Sequence, residues 1–347
     1  METQALPTLR PLRLGELLDQ ALRLYRRNFI TFIGIIALVH VPLTLLQAAI
    51  SALTSSTLLQ SDSLDEIFSN TGLWAGIGSG LILFIVQFIL VQGIATGALT
   101  RAVADIYLGR QSGILNAYKS IGRAWLSLLG ALLFILLLYL LMVIWWLIVP
   151  CLGWFTGLGM MVFLLAAIHP LVPPIVVLEK QSAIASVRRA WSLARYRFWP
   201  LLGYAFVLYL FSLIIVIGPS MVANAALGIT IPFVNSAMDV AVTTLIQSLV
   251  QLITSLIYYP VQMTAFTLIY FDLRVRTEGF DLALQTLDAP TADLAQIVTP
   301  PPPANERLIT GQDLGNFAIL TFVSIGIFIL YYIVILAGAV FIMMLFS

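Results

Sequence analysis

Seven stretches of this chain are long and apolar enough to cross a lipid bilayer: Phe29–Leu53, Leu73–Thr100, Trp125–Val149, Trp154–Leu178, Trp199–Leu227, Val240–Phe271 and Phe317–Phe346. A crossing helix needs about 20 mostly apolar residues. In hydrocarbon every backbone polar group must be satisfied inside the protein, so such runs fold as α-helices. The fold class that follows is all-α, a polytopic helix bundle. Composition agrees: 61% of the 347 residues are apolar and 10% are charged, where soluble domains average about 45–50% and about 25%. That balance excludes a cytosolic enzyme, a secreted disulfide scaffold and a disordered chain. It also leaves little chain for an extramembrane catalytic domain. A single cysteine, Cys151, allows no intrachain disulfide and reads as a small apolar residue in a turn. The first apolar run exceeds the roughly 7–15-residue core of a cleavable signal, so it reads as a retained helix.

The charges sort themselves between these runs. All 17 basic residues fall before the first run or in the loops after the second, fourth and sixth. The alternate loops hold only Asp62, Asp65, Glu66 and Asp239. Cytoplasmic loops collect Lys and Arg, so the N-terminus is expected inside and the C-terminus, after an odd number of crossings, outside. The expected organisation is a cytoplasmic amphipathic segment (1–28), a six-helix membrane domain (29–280), a polar proline-rich cytoplasmic linker (281–316) and a seventh transmembrane helix (317–347) appended to the core. Pro150-Cys151-Leu152-Gly153 makes the third and fourth runs a tight hairpin.

Three segments of the basic loops align without gaps: Ala21–Phe29, Ala117–Trp125 and Ala190–Phe198. Each leads into an odd-numbered run, each is followed five residues later by a glycine (Gly34, Gly130, Gly203), and an acidic residue follows each even-numbered run (Asp105, Glu179, Asp272). This spacing suggests three hairpins repeated in parallel. The first and third segments are amphipathic. Leu14, Leu17, Leu18, Ala21, Leu22, Tyr25 and Phe29 form one stripe, and Ile184, Val187, Trp191, Ala194 and Phe198 another. Helices of this kind lie in the headgroup plane with the apolar face down. They serve either as topological elbows or as readers of anionic lipid, each cation near the surface contributing about 1 kcal/mol. On the second reading the headgroup ligands are Arg23, Arg26, Arg27, Lys119, Arg123, Arg188, Arg189, Arg195, Arg197, Arg274 and Arg276. The partners expected are membrane lipids, anionic ones among them. A net charge of +1 offers nothing to nucleic acid.

Leu12–Asp19 with Leu24–Phe29, Arg188–Leu193 with Arg197-Phe198-Trp199, and above all Tyr270–Leu282 resemble motifs of the bacterial membrane domain family associated with glycerophosphoryl diester phosphodiesterases. The resemblance spans roughly residues 10–285 and implies residence in a bacterial plasma membrane. It does not imply the phosphodiesterase activity. In the family's namesakes hydrolysis belongs to a separate barrel with a Glu, Asp and His metal site, for which this chain has no room.

Four side chains are candidates for a polar site at the bilayer midplane: His40, His169, Gln87 and Gln251. His40 lies about 16 Å into its run and His169 about 14 Å above the inner end of its own, at 1.5 Å per residue. Intramembrane ionisable residues are functional hypotheses by default. The alternative is that each imidazole bonds a carbonyl freed by its neighbouring proline, or a Ser, Thr or Gln. Two histidines without a carboxylate or thiol are a poor metal site, and no catalytic set, cofactor motif or metal motif appears. Asp105, Glu179 and Asp272 are expected to pair with nearby Arg. The function expected is that of a non-enzymatic membrane scaffold or lipid-interacting module. The alternatives are a small-molecule or lipid transporter, and an accessory to a separately encoded phosphodiesterase.

Overall fold

The computed structural model describes residues 10–58, 71–230, 237–285 and 309–346. Asp62, Asp65, Glu66, Arg307 and most of the proline-rich linker lie outside the described residues. Among the described residues every regular element is helical and none is a strand. Seven helices among these residues are long and apolar enough to cross a membrane: Phe29–Ser51, Trp74–Tyr107, Ala124–Ile148, Leu152–Glu179, Phe198–Asn224, Val242–Glu278 and Gly311–Ile333, spans one to seven. This is the architecture of a multi-pass membrane protein. Three short helices precede spans one, three and five: α1 (Leu14–Arg27), α2 (Ile114–Ile121) and α3 (Ala183–Tyr196).

The spans overrun their expected inner ends. The helix carrying span six, Ala237–Glu278, has 42 residues and is about 63 Å long, twice the roughly 30 Å of hydrocarbon. Span two continues from Thr100 to Tyr107. Burial follows the same division. Toward the charged end the side chains are buried: Ala95–Ala104 in span two, Phe163–Leu178 in span four and Tyr258–Val275 in span six lie almost wholly inside. Toward the other end large apolar side chains such as Phe84, Trp154, Ile214, Ile253 and Phe328 are exposed. The bundle is packed by protein at its charged half and left to its surroundings at the other.

Protein covers much of the apolar stripe of each amphipathic segment, while Leu14 and Ile184 stay exposed. Leu12 N–H donates to Asp272 Oδ1 at 2.8 Å, and its carbonyl accepts from Arg276 at 2.6 Å. Further along α1, Tyr25 joins the cluster of Val261 and Met263. Helix α1 therefore runs back along span six, with Leu17, Ala21 and Tyr25 buried against protein. Helix α3 packs on spans three and four. Val187, Ala190, Leu193 and Ala194 are buried, and Trp191 lies edge-on to Phe163 of span four at 5.7 Å. An apolar stripe records that a face leaves water, not whether lipid or protein covers it. Here the over-long span six covers α1, and spans three and four cover α3.

Glycines set the closest approaches. A Cβ on Gly153 would sit 2.5 Å from the Trp145 carbonyl oxygen, and one on Gly157 3.0 Å from Trp146 Cβ, which closes the hairpin of spans three and four. A Cβ on Gly159 would sit 2.0 Å from the Phe317 carbonyl oxygen. Gly159 N–H donates to Thr321 Oγ1 at 2.9 Å, and Phe317 is fully buried among Phe163, Trp191 and Phe198. Span seven is appended in sequence but docked in space.

Candidate functional site

Span six ends in a polar node. Tyr270, Arg274 and Glu278 recur every four residues and so share one helix face. Arg274 donates through Nε to Glu278 at 3.0 Å and through a terminal nitrogen to Tyr270 Oη at 3.0 Å. Tyr270 donates to Glu179 Oε1 at 2.9 Å, Glu179 accepts from Arg189 Nε at 3.3 Å, and Arg189 pairs with Glu278. The circuit joins spans four and six to α3, holds two cations and two carboxylates, and leaves Arg274 only 2% exposed. Gly279, at φ +61°, reverses the chain so that the buried Phe280 ring lies 4.1 Å from the Arg274 guanidinium, a cation–π contact. A paired circuit of this kind fixes the three helices against one another.

Two further clusters surround it. Asp272 accepts from Arg276 Nε at 2.9 Å and lies 3.9 Å from Arg197, while together Asp272 and Arg276 clamp the Leu12 peptide at the entry to α1. Asp313 pairs with Arg195 at 2.7 Å. It also accepts from Thr310 N–H at 2.7 Å, the N3-to-cap arrangement that starts a helix, so span seven begins on α3. Asp105 pairs with Arg101 at 3.1 Å. Each acid that follows an even span thus meets an arginine.

These contacts divide the headgroup candidates. Arg189, Arg195, Arg197, Arg274 and Arg276 stand in ion pairs within the bundle. Arg23, Arg26, Arg27, Lys119, Arg123 and Arg188 are exposed. Arg10, Asp19, Arg23 and Arg27 rim a depression of about 500 Å³ beside Tyr107. Glu16, on the same helix, is held below the usual carboxylate range, first by the Arg13 N–H that it accepts. Burial pushes the Tyr25 and Tyr118 hydroxyls up to about 12. Tyr118 donates to the Ile35 carbonyl at 2.5 Å, whereas Tyr25 Oη has no partner among the described residues.

The midplane candidates separate as well. His40 and Gln87 line one cavity of about 240 Å³ with Gln92, Ser255 and Tyr259, between spans one, two and six. His40 Nε2 lies 3.2 Å from Ser255 Oγ. Tyr259 donates to Gln92 Oε1 at 3.0 Å and lies 2.8 Å from Thr96 Oγ1. His169, half-buried in span four, does not line this cavity, and Gln251 is exposed. Ser255 and Tyr259 were not legible as site residues, and one feature of span two hid the pairing of Gln87 with Gln92. Phe88–Ala95 is a π-helix, whose wider turn stacks residues five apart. An α-helical reading puts those two amides on different faces. Thr96 Oγ1, donating to the Val91 carbonyl five residues back at 2.9 Å, satisfies the backbone there.

Among the described residues no three His, Cys, Asp or Glu side chains converge so as to hold a metal ion. Comparison with family models, curated proteins and solved structures finds no match.

Proposed function

We propose that this chain is a non-catalytic membrane module that binds anionic lipid at its charged end. One observation carries the reading: exposed cations stand beside exposed large apolar side chains at all three helical elbows. Arg26 and Arg27 adjoin Phe29 and Ile30, Lys119 lies four residues from Leu115, Arg123 three from Leu126, and Arg188 four from Ile184. A cation over an apolar residue is what a headgroup–hydrocarbon boundary selects. The proposal includes a bacterial plasma membrane, an N-terminus inside and a C-terminus outside, in keeping with the resemblance to the membrane domain family described above. It also includes three repeated hairpins followed by one appended span. The glycine pattern supports the repeat in two places: Gly34 would place a Cβ 2.5 Å from Ile114 of α2, and Gly130 one 3.2 Å from Ala183 of α3, while Gly203 faces open space.

Native mass spectrometry in mild detergent tests the lipid reading. With phosphatidylglycerol added, the parent should retain one or more lipids, and a variant carrying R23Q, R26Q, R27Q, K119Q, R123Q and R188Q should retain few. Phosphatidylcholine should bind both equally weakly. Equal retention of phosphatidylglycerol by parent and variant would reduce these cations to topological anchors.

A further inference from the structure

The cavity between spans one, two and six is a second, chemically different site. None of its lining residues is charged, and five of them are polar: His40, Gln87, Gln92, Ser255 and Tyr259. Ser255 Oγ donates its one proton to the Leu252 carbonyl at 3.0 Å. The 3.2 Å contact with His40 is therefore an Nε2–H donation to Ser255. That tautomer leaves Nδ1 a bare acceptor, and among the described residues Nδ1 is buried with no partner. One turn further along span one, Thr44 Oγ1 is also buried without a partner among the described residues. Gln92 is held by Tyr259 Oη at 3.0 Å. Among the described residues nothing bonds the Gln87 amide, which faces the cavity. Gln87 lies 13 residues into span two, about 20 Å and well inside the hydrocarbon. An unsatisfied amide at that depth is costly, and the convergence of five polar side chains on one cavity points to a polar ligand.

Size and opening narrow the ligand. At about 240 Å³ the cavity is smaller than the roughly 300–1,000 Å³ that encloses a whole drug-sized ligand. Phe84 forms one wall, and 67% of its surface is exposed on a membrane span, so the cavity opens sideways to lipid. It takes a small head while the tail stays in the bilayer. With no charged wall to offset desolvation, that head is neutral, and it must both donate and accept hydrogen bonds.

We propose that this cavity binds the uncharged, hydroxyl-bearing head of an acylglycerol, with the Gln87 amide as its principal partner and the acyl chain leaving past Phe84. The test is photolabelling of the full chain in nanodiscs with a monoacylglycerol carrying a diazirine near its head, followed by peptide mapping. Label should concentrate on span-one peptides around His40 and span-two peptides around Phe84–Gln92, and excess monooleoylglycerol should compete while oleate does not. Gln87→Leu should lower that labelling about tenfold, the loss of a hydrogen bond or two, without lowering the unfolding temperature, since the amide removed has no partner among the described residues. Ser255→Ala, which frees the His40 ring but conserves shape, should lower it several-fold. Label spread over all spans in proportion to exposure, competition by oleate, or labelling unchanged in both variants would overturn the proposal. Retention of phosphatidylglycerol should be the same in Gln87→Leu as in the parent, so this site and the charged-end reading can fail separately.

Discussion

Arg274 shows how much one side chain can organise. It is 2% exposed and bound to Glu278, Tyr270 and the Phe280 ring together. Arg274→Met leaves Glu278 and Glu179 short of a partner, so a loss of about 3–5 kcal/mol is expected in denaturant unfolding. Arg274→Lys should also destabilise, because an ammonium lacks the planar fork that reaches two acceptors at once. The two elbow tyrosines give a pH prediction. Their folded-state values, about 12, lie above the ordinary 10.0. The folded protein thus holds these protons more tightly than the unfolded chain. Their contribution is complete below pH 10 and is lost as pH rises toward 12. Thermal unfolding at pH 9 and pH 11 should show that loss in the parent, and less of it in a Tyr25→Phe, Tyr118→Phe double variant. At pH 7, Tyr25→Phe should be neutral or stabilising, since its hydroxyl has no partner, while Tyr118→Phe should cost about 1 kcal/mol.

At the scale of the helix, span seven supplies the sharpest prediction. The Gly159 backbone lies against the Phe317 carbonyl with no room for a side chain. Gly159→Val should separate spans four and seven, read as faster amide exchange over Asp313–Thr321 with little change in span six. The seven crossings and the pairing of Asp105, Glu179 and Asp272 with arginines could be read from residue order, because hydropathy and charge place a helix end without knowledge of its neighbours. The i, i+4 chain of Tyr270, Arg274 and Glu278 was equally open to reading, though its closure through Glu179 and Arg189 was not. The covering of α1 by span six was hidden, since Leu17, Ala21 and Tyr25 look the same against lipid or protein. The polar cavity was only half visible. His40 and Gln87 announce themselves as polar residues in apolar runs, but the π-helical turn that stacks Gln92 near Gln87 leaves no mark in composition.

For the whole molecule, the segregation of charge makes orientation measurable with the chain's own chemistry. Cys151, the single cysteine, is exposed in the turn between spans three and four, the end away from the arginines. With the N-terminus inside, a membrane-impermeant maleimide should label it on intact spheroplasts as fully as after lysis. Labelling only after lysis would invert the topology.

The unequal burial of the two halves has a material consequence. Cohesion at the charged half comes from side chains of the protein itself, and at the far half from whatever fluid surrounds the helices. Moved into a short-chain detergent, the far half should fray like bristles while the stock that holds them stays folded. In the membrane, acyl chains filling the gaps between those bristles complete the tertiary structure, so the bilayer serves this protein as a subunit.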